Sequence, residues 1–138
     1  MARVHLLKEI LMAISFLLKI SDTDLTGHVV QNTYDVNEQP VFKTYKDANE
    51  ETHKRWLRDK ISGSFQMVFS DIDEYLTFKA LLDENTSQSN HTVSCTVYDN
   101  KSGVQKTINA FWDFSVTIKQ TAGLKEYVEP FEVQIEEQ

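Results

Sequence analysis

Ile108-Asn109-Ala110-Phe111-Trp112-Asp113-Phe114-Ser115-Val116-Thr117-Ile118 decides the fold class. Ile108, Ala110, Trp112, Phe114, Val116 and Ile118 alternate with polar residues, and only Phe111 interrupts the polar side. Successive side chains of a strand point to opposite faces, so this period predicts a strand buried on one face. It is expected to run over 104–120. Just upstream, Asp99-Asn100-Lys101-Ser102-Gly103 holds turn residues, and Gly103 is free to take positive φ. That turn predicts a hairpin with a second strand over 91–98, in which Val93, Cys95 and Val97 point inward.

Working outward, residues 55–69 read as another long strand. Its inner face would hold Leu57, Ile61, Gly63, Phe65, Met67 and Phe69, with Gly63 marking a bulge or a close backbone approach. The period then changes. Ser70 and Asp71, each followed three residues later by Asp73 or Glu74, form a helix-start signal. Ile72, Tyr75, Leu76, Phe78, Leu81 and Leu82 recur near the helical period, so a helix is expected over 71–84. Tyr127, Phe131, Val133 and Ile135 predict a final strand, which Pro130 would confine to a sheet edge. Val29-Val30 and Thr33-Tyr34 suggest a short strand within 26–34. Residues 35–52 are polar and irregular and read as a long excursion, a hairpin or an arm. These elements make an α+β chain, mainly antiparallel β: a sandwich or partly open barrel with one flanking α-helix.

The chain has 138 residues, one cysteine and a net charge of −7. Such a length suits one domain with its own core. The negative charge argues against a partner held mainly through phosphate neutralisation, so sequence-specific nucleic acid is not an expected partner. A single cysteine forms no internal disulfide and suits a reducing compartment; Cys95 reads as a small buried hydrophobe. Three glycosylation-like triplets, at Asn85, Asn90 and Asn100, read as polar loop composition. No apolar run reaches the length a bilayer needs, and no membrane partner is expected. Lys8-Glu9 can be encoded by a purine-rich ribosome-binding sequence, and Met12-Ala13 follows closely. Residues 1–11 are therefore read as a translated leader or a short helix, and 12–138 as one domain. Ile14, Phe16, Leu18 and Ile20 alternate and suggest an opening strand.

The chemistry of a catalytic site is hard to find. His5, His28, His53 and His91 form no close pair with another His or Cys at metal-ligand spacing, and no metal or cofactor is expected. Neither a phosphate-binding glycine loop nor a Gly-x-Ser-x-Gly elbow occurs. Asp71, Asp73 and Glu74 are better explained as helix-cap residues than as an acid–base pair. Trp112 lies on the apolar face of its strand and reads as core. Trp56 falls, by strict alternation, on one face with Lys54, Arg58 and Lys60. It would either lie under the 35–52 excursion, anchor an interface, or stack on a base or sugar. Residues 53–60 are basic, whereas the C-terminal stretch carries Glu126, Glu129, Glu132, Glu136 and Glu137 against Lys125. Opposite charge in two distant segments suits head-to-tail contact between copies. Lys54, Arg55, Trp56, Arg58, Lys60, Glu129, Glu132 and Glu136 are the candidate interface residues.

Val30-Gln31-Asn32-Thr33-Tyr34, Pro40-Val41-Phe42-Lys43, Asp47-Ala48-Asn49 and Arg58-Asp59-Lys60-Ile61-Ser62-Gly63-Ser64-Phe65 resemble segments of small phage and prophage proteins of Gram-positive bacteria. So does the Tyr75, Phe78, Leu81-Leu82 helix. Those proteins are encoded among tail morphogenesis genes and are similar in layout to the tail-tube and distal-tail fold. The resemblance covers about half the chain. It implies a non-enzymatic structural part of a phage tail, tail-tube or baseplate-proximal, made in the host cytoplasm and built into the virion. It also implies partners: copies of the chain itself, as a ring or tube, and other tail proteins. The competing expectation is a monomeric β-sandwich module that binds carbohydrate or another ligand through Trp56.

Overall fold

The computed structural model describes residues 16–120, 122, 123 and 125–138. The expectations for residues 1–11 and for Ile14 fall outside the described residues. The strands are β1 (Leu18–Ile20), β2 (Thr23–Asp24), β3 (Asp35–Lys46), β4 (Thr52–Met67), β5 (Val93–Asp99), β6 (Val104–Phe114), β7 (Ile118–Gln120), β8 (Glu126–Val128) and β9 (Phe131–Glu137). Helix α1 spans Ile72–Glu84 between β4 and β5. Seven strands form one antiparallel sheet in the order β2-β1-β5-β6-β9-β4-β3, and β7 and β8 pair separately. The expected class is therefore the observed one.

Period-two patterning builds this sheet. Buried and solvent-facing residues alternate along β5 and β9, and Ile61, Phe65 and Met67 extend the buried face into β4. Helix α1 lies over that face. Asp71 caps it by accepting from the Glu74 N–H at 2.8 Å, while Glu74 accepts from the Ser70 N–H at 3.0 Å. Its buried residues are Tyr75, Phe78 and Leu82. Leu76, expected in the apolar stripe, faces solvent instead, because the stripe that meets the sheet is narrower than the run of apolar residues. Phe78 packs on Phe69 and Phe114 with ring centroids 5.3 and 6.0 Å apart. Cys95 is buried beneath, and burial pushes its thiol up to about 11, so it serves as an apolar filler.

Four expectations need correction. Within 26–34 there is a 3₁₀ turn, Thr26–His28, and only a single bridge from Val29 to Met67. Asn32 adopts φ 66°, which breaks an extended run. The long strand expected over 104–120 stops at Phe114, and the chain re-forms as β7 in the small sheet. The last strand is split around Pro130, and β9 is not an edge: it pairs with β6 on one side and β4 on the other. Pro130 precedes Phe131, so its missing N–H removes no ladder bond. Leu57 is half exposed and is not on the inner face, for a reason given below.

The sheet curls without closing. Its β3 edge is brought to the end of β5, where the Asn100 N–H donates to the Val36 carbonyl at 3.0 Å. Asp99, with no exposed surface, fastens this seam. Its Oδ1 accepts from the Glu38 and Lys101 backbone N–H groups at 2.9 and 3.0 Å, and Oδ2 accepts from the Ser102 hydroxyl at 2.7 Å. Tyr34 adds a second fastening, donating to the Tyr98 carbonyl at 2.5 Å. Gly63 shows the close approach read from the sequence: a Cβ there would lie 2.0 Å from the Asp35 carbonyl oxygen across the β3–β4 ladder.

Candidate functional site

The polar segment at 35–52 is not irregular. It is one strand, β3, and the turn of a long ribbon in which β3 pairs with β4 from Asp35↔Ser64 to Lys46↔Thr52. Strand β9 meets β4 only from Ser62 to Met67. From Ile61 outward the ribbon therefore leaves the sheet and projects as a two-stranded arm. The transition is finished by side chains: Glu137 accepts from the Ile61 N–H at 2.9 Å, and the Arg58 guanidinium donates to the backbone oxygen of Gln138.

One irregularity decides what the arm presents. Val41 pairs with Arg58 but Phe42 pairs with Trp56, so Leu57 is an extra residue in β4. Cross-strand partners share a face, and an extra residue flips the faces beyond it. Trp56 thus lies on the continuation of the core face, with Phe42 opposite it and Lys54 beside it. Arg58 and Lys60 lie on the other face. Strict alternation had put Trp56, Arg58 and Lys60 together; the bulge separates them. The hydrogen bond from the Trp56 indole to Asp59, 3.0 Å long and three residues away, fits this flip. Leu57 is exposed because it lies on the arm, beyond the last β9 neighbour of β4 at Ser62, where it is the unpaired residue of the bulge.

The arm does not cover Trp56. Exposures of 47% for Phe42, 52% for Tyr45, 56% for Trp56 and 50% for Leu57 place four large apolar residues in solvent on one thin ribbon. Phe42 and Trp56 are cross-strand neighbours on one face, and Tyr45 lies on the other beside His53, so both faces of the arm present apolar surface of the kind that marks an interaction site. The arm is also the basic part of an acidic chain: residues 41–60 hold six Lys or Arg against four carboxylates, the remainder eight against seventeen. Beyond its pairing with β3, β4 from Thr52 to Asp59 has no further strand neighbour among the described residues.

The tip is held by Asp47. Its Oδ1 accepts from the Asn49 and Glu51 N–H groups at 2.9 and 3.0 Å, and Oδ2 lies 2.8 Å from His53 Nε2. The Tyr45 ring stacks on His53 at 5.3 Å. Asp47, Glu51 and His53 stand close enough to share a metal ion. Sequence spacing hid this trio because the hairpin, not a local motif, assembles it; both Asp47 oxygens are already used by the turn. The His53 contact holds the Asp47 carboxyl below the usual carboxylate range. A carboxyl lowered in the folded state stabilises above its unfolded value and loses that contribution as pH falls through the lowered one. Acidification into that window will therefore shift the Asn49 and Glu51 amide resonances toward open-turn values before the body unfolds. Amides that do not move until global unfolding would show that Asp47 does not hold the tip.

Of the other candidate residues, Glu129 is engaged within the chain, 2.7 Å from Lys119. Glu132 and Glu136 lie exposed on β9, on the face away from the core. Because β9 adjoins β4, the basic and acidic segments are neighbours within one copy, and Arg58 is already tied to the C-terminal residue. No helix among the described residues is long and apolar enough to cross a membrane.

No protein-family model, curated protein or solved structure matches the chain.

Proposed function

We propose that the chain is a non-enzymatic structural subunit that associates with its own copies through the β3–β4 arm, as a component of a phage tail. The observation that carries self-association is the arm: a projecting ribbon with Phe42, Tyr45, Trp56 and Leu57 in solvent. Aromatic anchors of this kind supply most of the energy of protein interfaces. Unpaired ribbon edges are liabilities that natural chains cover or use. The tail setting rests on the sequence resemblance alone.

Sedimentation velocity over a concentration series tests this. The native chain should grow from monomer to larger species, and Trp56→Ser should hold it near the monomer with its fold unchanged by circular dichroism. A native chain that stays monomeric at every concentration overturns the proposal. The exposed Trp56 ring also keeps the carbohydrate-module reading in play. A monomeric chain whose Trp56 fluorescence responds to oligosaccharides would favour that reading.

A further inference from the structure

We infer that the arm of one copy docks on the outer face of the sheet of the next copy, around Phe111. This rests on the self-association reading and names the surface that receives the arm.

The outer face is the side of the sheet away from α1. Register defines it: Phe111 pairs with Glu136 and Asp113 with Gln134 across β6 and β9, and Ser62 and Ser64 pair with Glu136 and Gln134 across β9 and β4. Three properties suit it to the arm. First, Phe111 is 43% exposed in the middle of a polar face, the single apolar break in the strand that decides the fold. Second, Ser62 and Ser64 are short, so the surface dips between β4 and Phe111 into a shallow trough also lined by Asp113, Gln134 and Glu136. An aromatic side chain can lie there against Phe111. Third, the outward positions of β6 and β9 carry Asp113, Glu132 and Glu136 and no Lys or Arg; the basic residues Lys60 and Arg58 border this face only at its end, where the arm begins. The arm presents the complement: Phe42 and Trp56 opposite each other, with Lys54 on the same face. Like charge keeps two arms from favouring each other, and like charge likewise separates two outer faces. Arm on face is the attractive combination.

Arm and face are different surfaces, so the contact is heterologous. Each copy offers one arm and one face, and such contacts grow into rings or filaments instead of stopping at a two-fold dimer. Screening should weaken the association as salt rises past the point where the Debye length is about 8–10 Å.

The test uses two variants of the whole chain. One disables the arm, Trp56→Ser with Lys54→Glu. The other disables the face, Phe111→Gln with Glu136→Gln. All four positions are exposed, and circular dichroism confirms that both variants fold. Each variant alone should sediment as a monomer. Mixed in equal amounts they should form one-to-one complexes that grow no further, because the intact arm of one meets the intact face of the other. If the face variant assembles like the native chain while the arm variant does not, the arm docks elsewhere: this inference fails and the assembly reading stands. If both are monomeric but the mixture stays monomeric, the contact is not arm on face and the inference fails. If the native chain itself never associates, both readings fall.

Discussion

Replacing Asp99 by Ala will lower the unfolding free energy by about 3 kcal/mol, because it strands buried hydrogen-bond donors at the seam of the sheet. Asp99 has no solvent exposure and accepts from two backbone N–H groups and the Ser102 hydroxyl, with Lys106 3.5 Å away. Burial alone would push its carboxyl up; these partners outweigh it and hold the carboxyl below its usual range. The sign follows: a lowered carboxyl stabilises above its unfolded value, and that stability is lost as pH falls through the folded one. Asp99→Asn should destabilise less and should flatten the pH dependence in that acidic window. Denaturant titrations at neutral and acidic pH give both numbers. An Asp99→Ala loss under about 1 kcal/mol would mean that the loop donors find water instead, the cost of an exposed rather than a buried group.

Truncating Phe78 to Ala is the second large effect, about 3–5 kcal/mol for a fully buried aromatic. Phe78 is 3% exposed and sits between α1 and the sheet, against Phe69, Trp112 and Phe114. The cavity would lie at the junction of the helix with β6, where a rigid sheet cannot close over it. Leu76, one half-turn away and exposed, is the internal control, and Leu76→Ala should change stability by less than about 0.5 kcal/mol. Equal losses at the two positions would show that the helix packs through a different face.

The parts of the fold that bury one face were legible in the sequence. Alternation at Ile108, Ala110 and Trp112, and again at Phe131, Val133 and Ile135, reports a side chain's distance from the core, and β6 and β9 stand where it pointed. Helix α1 was legible because Asp71 and Glu74 cap it and Tyr75, Phe78 and Leu82 repeat along it. Residues 55–58 of the arm were legible as the start of the strand read over 55–69, and 35–52 as an excursion, a hairpin or an arm, but β3 was not legible as strand. With both faces in solvent, residues 41–58 have no reason to alternate, and their order comes from cross-strand hydrogen bonds that a sequence does not display. The same blindness put Trp56 beside Arg58: one extra residue at Leu57 reverses the faces, and no local signal announces it. Strand order was also out of reach. Pro130 pointed to an edge strand, but whether the strand after it lies at an edge depends on pairings with β4 and β6 distant in sequence.

As proposed, the arm is a separable assembly element on a body that folds without it. Val41 and Arg58 are cross-strand partners, so a two-residue Asn-Gly turn can join them directly in place of residues 42–57. Sedimentation velocity of this shortened chain beside the native one is the direct test. The shortened chain is expected to keep the native circular dichroism spectrum and a cooperative thermal transition, and to stay monomeric at concentrations where the native chain assembles. A shortened chain that assembles as the native one does would show that the arm does not carry assembly.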